Sequence, residues 1–440
     1  MNHIKNHYFK LFSLAIMFGV FSVQSVLSQG ESAVPFLLIS PDARASGMGE
    51  SGGGIADNVD AIFWNPAGLA FQTGDEVSIT HSNWLPQFGF NDLFYDYANY
   101  KTYVEDWGGT VAGSITYLNL GEFIRTSSED PTEIGRWKAY EVAVTGGGGW
   151  KVLDNLGVGI NLRYIRSALS PFGTENEQGT GIANTVSFDL ATFYKSENPI
   201  YTYDDIRFKV AGGLNLSNLG PKVTYIDEAQ ADPLPTSLRL GLSLEVIPDE
   251  FNSITYNVDF SRVLVRRRFF DANNDGKYNS DDGDRVLPPD ALPKSLFTAW
   301  GDGTGLRKIT TGMGLEYWYG SPRLIALRFG WFYEDPSYGN RNFLTFGAGL
   351  RYDMYGFDFS YISVVKGDFS PLAETLRFTL LMRWGGLESI NANAEPTSPP
   401  GELIIILICL GRSFLIKFLA MINSIASPQE LASKSLLNNR

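Results

Sequence analysis

Residues 35–71 read PFLLISPDARASGMGESGGGIADNVDAIFWNPAGLAF. The stretch has neither the 3.6-residue period of an amphipathic helix nor the strict alternation of a half-buried strand. It is rich in Gly, Ala and Ser and ends in an Asn65-Pro66-Ala67 turn. Small residues let one backbone approach another closely. The stretch lies between an export signal and a long series of alternating strands, so it reads as a plug that folds into the lumen of a β-barrel, with the Asn65, Pro66 and Ala67 turn as its motif.

The signal occupies residues 1–28. Lys5 and Lys10 precede an apolar run from Leu11 to Val23, and small residues follow around Val26 and Ser28, which places cleavage after Ser28. The run falls short of the roughly 20 apolar residues that a membrane helix needs. No Cys lies near the cut, so a lipid anchor is not expected. Removing the two lysines takes the formal charge from −13 to −15, too acidic for binding that depends on neutralising phosphates, and nucleic acid is excluded as a partner. Cys409 is the single cysteine and His81 the single histidine of the mature chain, so Cys-His, Ser-His-Asp and multi-His zinc chemistry would all have to pass through one imidazole. An enzyme of these types is not expected, and no cofactor is required.

From Glu76 to Trp384 the chain keeps returning to period-two alternation. Leu156, Val158, Ile160, Leu162 and Tyr164 alternate with Gly157, Gly159, Asn161 and Arg163, and Leu238 to Val246 repeat the pattern against Arg239, Gly241, Ser243 and Glu245. One face is apolar and the other polar or small. A soluble sandwich would bury the apolar face, whereas a membrane barrel turns it to lipid, and alternation alone does not choose between them. Connection lengths do. Fourteen strands are expected near 76–85, 90–104, 109–119, 137–150, 155–167, 184–196, 206–217, 236–247, 252–264, 306–319, 322–334, 341–353, 355–363 and 373–384. With the chain starting in the periplasm, the long connections 120–136, 168–183, 218–235 and 265–305 all fall outside, and most of the others are tight turns. Connection 197–205 is longer than this rule allows, and Asp and Tyr residues blur the alternation of 90–104. Aromatics, 14% of the chain, gather at strand ends, as the girdles of a membrane barrel do. The fold class is therefore all-β: a 14-stranded antiparallel transmembrane β-barrel at 76–384, preceded by a plug segment at 29–75. It belongs in the outer membrane, in contact with lipid.

Residues 385–440 break the pattern. A Pro/Ser linker around Pro396 to Pro400 leads to two apolar runs split by Gly411, Arg412 and Ser413, and a helix through them would bury Arg412 and Lys417 in the bilayer. This end is read as an appendage outside the fold.

The sharpest local motif is a candidate calcium loop in the longest external connection. Asp271, Asn273, Asp275, Asn279 and Asp282 offer side-chain oxygens, Lys277 its backbone carbonyl, and Gly276 the sharp turn that a hard cation's ligand loop requires. Asp282 stands where a sensor loop has a longer Glu, so the expected role is a structural Ca²⁺ that stiffens the connection; the alternative is an acidic solvated turn. Gly47, Gly49 and Gly52 match a dinucleotide fingerprint, but no strand-helix-strand unit surrounds them, and they are read as packing. The run Gly146 to Gly149 is read as a bulge or a close backbone approach. His81 is expected in the lumen or at the membrane interface, and Arg266, Arg267 and Arg268 as a solvated rim or a contact for lipopolysaccharide phosphates.

Val34-Pro35-Phe36-Leu37-Leu38-Ile39, Pro41-Asp42-Ala43-Arg44, Gly47-Met48-Gly49, Asp57 and Phe63-Trp64-Asn65-Pro66-Ala67, with the closing strand around Ser370 to Phe378, resemble the PorV family of the type IX secretion system, within the wider FadL-like barrel group. The likeness runs to Trp384. It implies a non-enzymatic outer-membrane protein that binds the C-terminal β-domain of secreted cargo, takes it from the type IX translocon and delivers it to a sortase-like surface peptidase for attachment to lipopolysaccharide. The alternative is a FadL-like transporter of hydrophobic small molecules.

Overall fold

The computed structural model describes residues 32–89, 92–126, 132–172, 180–226, 231–265, 268–270, 272, 283, 285–301, 305–364 and 371–385. Fourteen long strands close into one antiparallel ring. They are β1 (Asp75–Asn83), β2 (Phe94–Val104), β3 (Gly109–Thr126), β4 (Glu133–Leu153), β5 (Leu156–Ser170), β6 (Gly181–Lys195) and β7 (Ile206–Leu219), then β8 (Ser237–Ile247), β9 (Asn252–Val263), β10 (Ile309–Tyr319), β11 (Ile325–Tyr333), β12 (Asn342–Tyr352), β13 (Tyr355–Val364) and β14 (Leu376–Trp384). Every strand pairs with its neighbours in sequence, and β1 meets β14 from Asp75↔Trp384 to Ser82↔Arg377, which closes the ring.

The faces of the strands settle what alternation left open. On β5, Ile160 and Leu162 are 52% and 66% exposed, while Asn161 and Arg163 between them are 2% and 7% exposed. Leu240, Leu242 and Leu244 on β8 are likewise exposed. A water-soluble sandwich would have this inverted. Apolar side chains point outward and polar ones inward, the arrangement that lipid imposes on a closed barrel, because the strands pair their backbones with one another around the ring and turn apolar side chains to the bilayer. Exposed Tyr100, Tyr103, Tyr319, Tyr352, Tyr355 and Trp384 line the end at which the chain enters the barrel, with Tyr100 stacked on Trp384. Phe94, Tyr117 and Tyr140 stack side by side at the other end.

The expected strands are all present, with differences at their ends. Strand β2 forms despite its Asp and Tyr content, because Tyr95 and Tyr97 turn inward and are buried, while Asp96 bonds His81 across the outward face. The connection expected at 120–136 is shorter, since β3 and β4 run on past the ring as a hairpin to Thr126 and Glu133. Connection 197–205 is long because Tyr201–Tyr203 pairs back onto the start of β7, making a short hairpin closed at Asp204 and Asp205, both at positive φ. The 264–308 connection holds a two-stranded ribbon, Arg268–Phe270 with Arg285–Leu287, and the helix Lys294–Thr298.

Candidate functional site

The densest polar chemistry lies where the amino-terminal segment, residues 33–72, meets inward-facing side chains of the ring. Short turns of helix at Ala43–Ser46 and Ala61–Trp64 and 3₁₀ turns at Pro35–Leu38 and Pro66–Phe71 are joined by the glycine-rich stretch between them. Almost all of it is buried. None of these turns is long enough to be stable alone, so tertiary contacts must hold them.

On the β10–β13 side the holding is ionic. Arg44 donates to both Glu316 oxygens, at 2.8 and 2.7 Å, and pairs with Asp57 within the segment. Arg328 donates to the same Glu316 at 2.7 Å and to Asp358 at 2.7 Å, and Arg351 reaches Asp358 at 2.6 Å. The result is a ladder of alternating charge across β10, β11, β12 and β13, anchored on the segment through Arg44. Burial pushes the Asp57 carboxyl up, but the charge and hydrogen bonds of Arg44 outweigh this and hold it at about 2. Asp42 takes Trp64 Nε1 at 2.6 Å and caps the Ala43 helix through Ala45 N–H at 2.8 Å, and burial raises its carboxyl above the usual range.

On the β4–β9 side polar side chains bond to backbone groups across the contact. Asn65 accepts the Ala67 N–H at 3.1 Å, fixing the turn, and its Nδ2 donates to the Thr192 carbonyl of β6 at 3.1 Å. Pro66 sits at the first position of the 3₁₀ turn, where its missing N–H costs nothing. In return Asn161 donates to the Ile62 carbonyl at 2.8 Å and Asn215 to the Trp64 carbonyl at 3.1 Å. Asp259 accepts the Gly52 and Gly53 N–H groups at 3.0 and 2.7 Å. Wall glycines make the approach possible: a Cβ on Gly149 would collide with Pro66 and Ala70, one on Gly159 with Ala67, and one on Gly241 with Gly53 and Gly54.

The sequence-predicted plug motif, Asn65-Pro66-Ala67, is thus brought against β4, β5, β6 and β7. Gly47, Gly49 and Gly52 pack as read: Gly49 sits at φ +69 with its N–H on Thr345 Oγ1 at 2.8 Å, and a Cβ on Gly52 would strike the Trp64 ring. Within the Gly146 to Gly149 run, Gly149 is the close approach to the segment. His81 proves to face outward near the Phe94 ring, on the interface side of the earlier alternatives. The calcium-loop residues Asp271, Asn273, Asp275, Lys277, Asn279 and Asp282 lie outside the described residues, as do Arg266, Arg267 and the side chain of Arg268. Sequence reasoning named Arg44 only as part of the family resemblance and passed over Glu316, Arg328 and Asp358. Their signal was available: an ionisable residue at inward parity within a membrane strand is costly and marks a paired or functional position.

A closed antiparallel ring that turns its apolar side chains to the outside and its charges inward, between two aromatic girdles, is an integral outer-membrane β-barrel. The family model for the type IX secretion system protein PorV matches residues 25–268, more than half of the chain, and the chain belongs to that family. It is therefore an outer-membrane component of type IX secretion. No curated protein matches it. Among solved structures it is similar to the Ralstonia pickettii toluene transporter TbuX, at 13% identity over 78% of this chain and 98% of that one with a TM-score of 0.45. It is also similar to the Pseudomonas putida toluene transporter TodX, at 11% identity over 77% and 96% with a TM-score of 0.43, and to a Pseudomonas aeruginosa FadL homologue, at 11% identity over 78% and 98% with a TM-score of 0.37.

Proposed function

We propose that this barrel receives secreted cargo through the cargo's C-terminal β-domain and carries it from the type IX translocon to a sortase-like surface peptidase, with residues 33–72 acting as a plug. The observation that carries this reading is the family match over residues 25–268. The packing of the segment supports it. Two internal cavities beside the segment, one lined by Phe36, Ile62, Tyr95 and Arg163 and the other by Asp42, Arg44, Asp57 and Trp64, measure about 10 and 20 Å³. Each is about the size of one water, far below the roughly 150 Å³ that takes up benzene. Cavities this small beside the segment suit a carrier whose cargo docks on the outside and does not pass through. The same reading takes residues 1–28 as an export signal that is removed and leaves 385–440 outside the working barrel.

The test is deletion of the chain followed by fractionation of the cells. Cargo bearing the C-terminal domain is expected to accumulate in the periplasm and to disappear from the surface. If surface display persists while uptake of an aromatic hydrocarbon falls, the carrier reading fails in favour of small-molecule transport.

A further inference from the structure

We infer that the cargo β-domain docks on the raised wall formed by β3–β6 at the outer end of the barrel, adding a strand to the free edge of β6 beside an aromatic patch. This rests on the carrier reading above and deepens it by naming the surface.

The outer rim is uneven. Strand β6 pairs with β5 along its whole length, from Ser170↔Gly181 to Leu156↔Tyr194, yet β7 reaches it only as far as Phe188↔Leu219. Beyond that the chain turns inward through Asn218, at positive φ, and Leu219, Val223 and Leu234 are buried. Gly220 packs its backbone against the Val186 carbonyl. Among the described residues, Gly181–Thr185 therefore has a ladder partner on one side and none on the other. An unpaired edge is a template for another strand, and natural proteins cover or blunt such edges when they are not used.

Next to this edge, the inner face of the wall carries Phe123, Trp137 and Phe172. Phe123 stacks on Trp137 at 5.6 Å, Trp137 meets Phe172 edge-on at 5.8 Å, and Arg125 lies over the Phe172 ring at 4.6 Å. Trp137 Nε1 donates to the Leu169 carbonyl at 2.9 Å, which fixes the cluster to the end of β5, the strand that flanks Gly181. Phe123 and Phe172 are 46% and 40% exposed. Trp137 shares the face of the buried Ala139 and Glu141, and it lies beyond Tyr140 of the outer aromatic row by roughly 10 Å of strand. The patch thus overlooks the mouth and not the bilayer, so lipid is not its occupant.

The occupant must bring an extended backbone for the edge and apolar side chains for the rings, which a β-domain does.

The probe is a fluorescent protein fused to the C-terminal β-domain of one secreted cargo of the host, expressed with the full-length barrel in its native membrane. A photo-crosslinking residue at Asn184 is expected to capture the fusion, and one at Ser337, in the β11–β12 connection, is not. The double variant Phe123→Ser, Phe172→Ser is expected to recover at least tenfold less fusion while keeping the heat-modifiable gel migration of the folded barrel. Equal capture at both positions, capture of the translocon alone at Asn184, or undiminished recovery by a folded double variant each overturn the assignment. If the double variant does not fold, the Asn184 crosslink decides alone. The two levels separate cleanly: deletion that leaves secretion intact overturns the carrier reading, whereas deletion that blocks secretion, with no capture at Asn184, overturns only the docking surface.

Discussion

The two walls that grip residues 33–72 share close glycine approaches, Gly312, Gly314 and Gly330 against Met48 and Gly49 on one and Gly149, Gly159 and Gly241 against Pro66, Ala67 and Gly53 on the other, and differ in what else they contribute. Toward β10–β13 the ring extends long charged side chains and meets Arg44 through Glu316, with Arg328 and Asp358 continuing the ladder. Toward β4–β9 the polar side chains of Asn161, Asn215 and Asp259 bond the segment's backbone, and glycines such as Gly149, Gly159 and Gly241 let that backbone lie against the strands. The ionic wall depends on each charge having its partner in a medium that screens poorly. The glycine wall depends on volume. The first is therefore sensitive to deletion of a group and the second to addition of one.

The largest effect is expected at Glu316. It is fully buried and shared by two guanidinium groups, and removing one partner of a buried ion pair costs about 3–5 kcal/mol because the other charge is left uncompensated. Glu316→Ala should lower the temperature at which the barrel loses its folded gel mobility and should expose a cysteine placed in the segment to a periplasmic thiol reagent. If neither changes, the ladder does not hold the segment.

The glycine wall should fail when filled. Gly159→Val places a branched side chain where Ala67 lies, and overpacking costs roughly 1–3 kcal/mol where the neighbours cannot move. The strand itself should tolerate the change, since Val favours strands. The expected result is a folded barrel whose segment is labelled faster than in the parent. A parent-like labelling rate would mean that the close approach does not restrict that wall.

Asn65 tests the junction between turn and wall with a smaller change. Asn65→Ala removes the cap on Ala67 N–H and the donation to the Thr192 carbonyl, each worth about 1 kcal/mol. Asn65→Asp keeps the first and loses the second, so its effect on urea unfolding should fall between those of the parent and Asn65→Ala. Equal loss in the two variants would assign the whole role to the bond with the wall.

The contrast between the walls also explains what could be read from the sequence. Period-two alternation and turn spacing locate every strand of the ring, because each signal is local. The NPA turn is local as well, with Asn65 bonding two residues ahead. The ionic ladder is not: Arg44 and Glu316 are 272 residues apart, and nothing in either neighbourhood names the other. Wall glycines are legible only as gaps in strands, where a glycine reads equally as a bulge, a bend or a close approach. The overlong β3–β4 hairpin was missed because its polar residues Glu122, Arg125, Glu133 and Arg136 resemble a loop, while its pairing runs on across the bulge that follows Asn119.

A third kind of anchoring gives the smallest effect and the cleanest control on both walls. We propose that the Asp271–Asp282 loop holds a structural calcium ion, on the strength of oxygen-bearing residues at Asp271, Asn273, Asp275, Asn279 and Asp282 with the Lys277 carbonyl between them. Asp282 reaches less far than a Glu would, which favours weak binding suited to calcium-rich surroundings. Ligand removal destabilises only by the free energy of occupancy, RT ln(1 + [L]/Kd), about 2.7 kcal/mol at a hundredfold excess and less for a weak site. Chelation should therefore speed external protease cleavage between β9 and β10 and leave segment labelling at the parent rate, since Arg44, Asn65 and the wall glycines lie far from that loop in sequence and are held by the ring. Asp275→Ala should reproduce the chelated state and lose its response to added calcium. Faster segment labelling on chelation would show that the external connection and the two walls are coupled, and the contrast between them would no longer be a property of the ring alone.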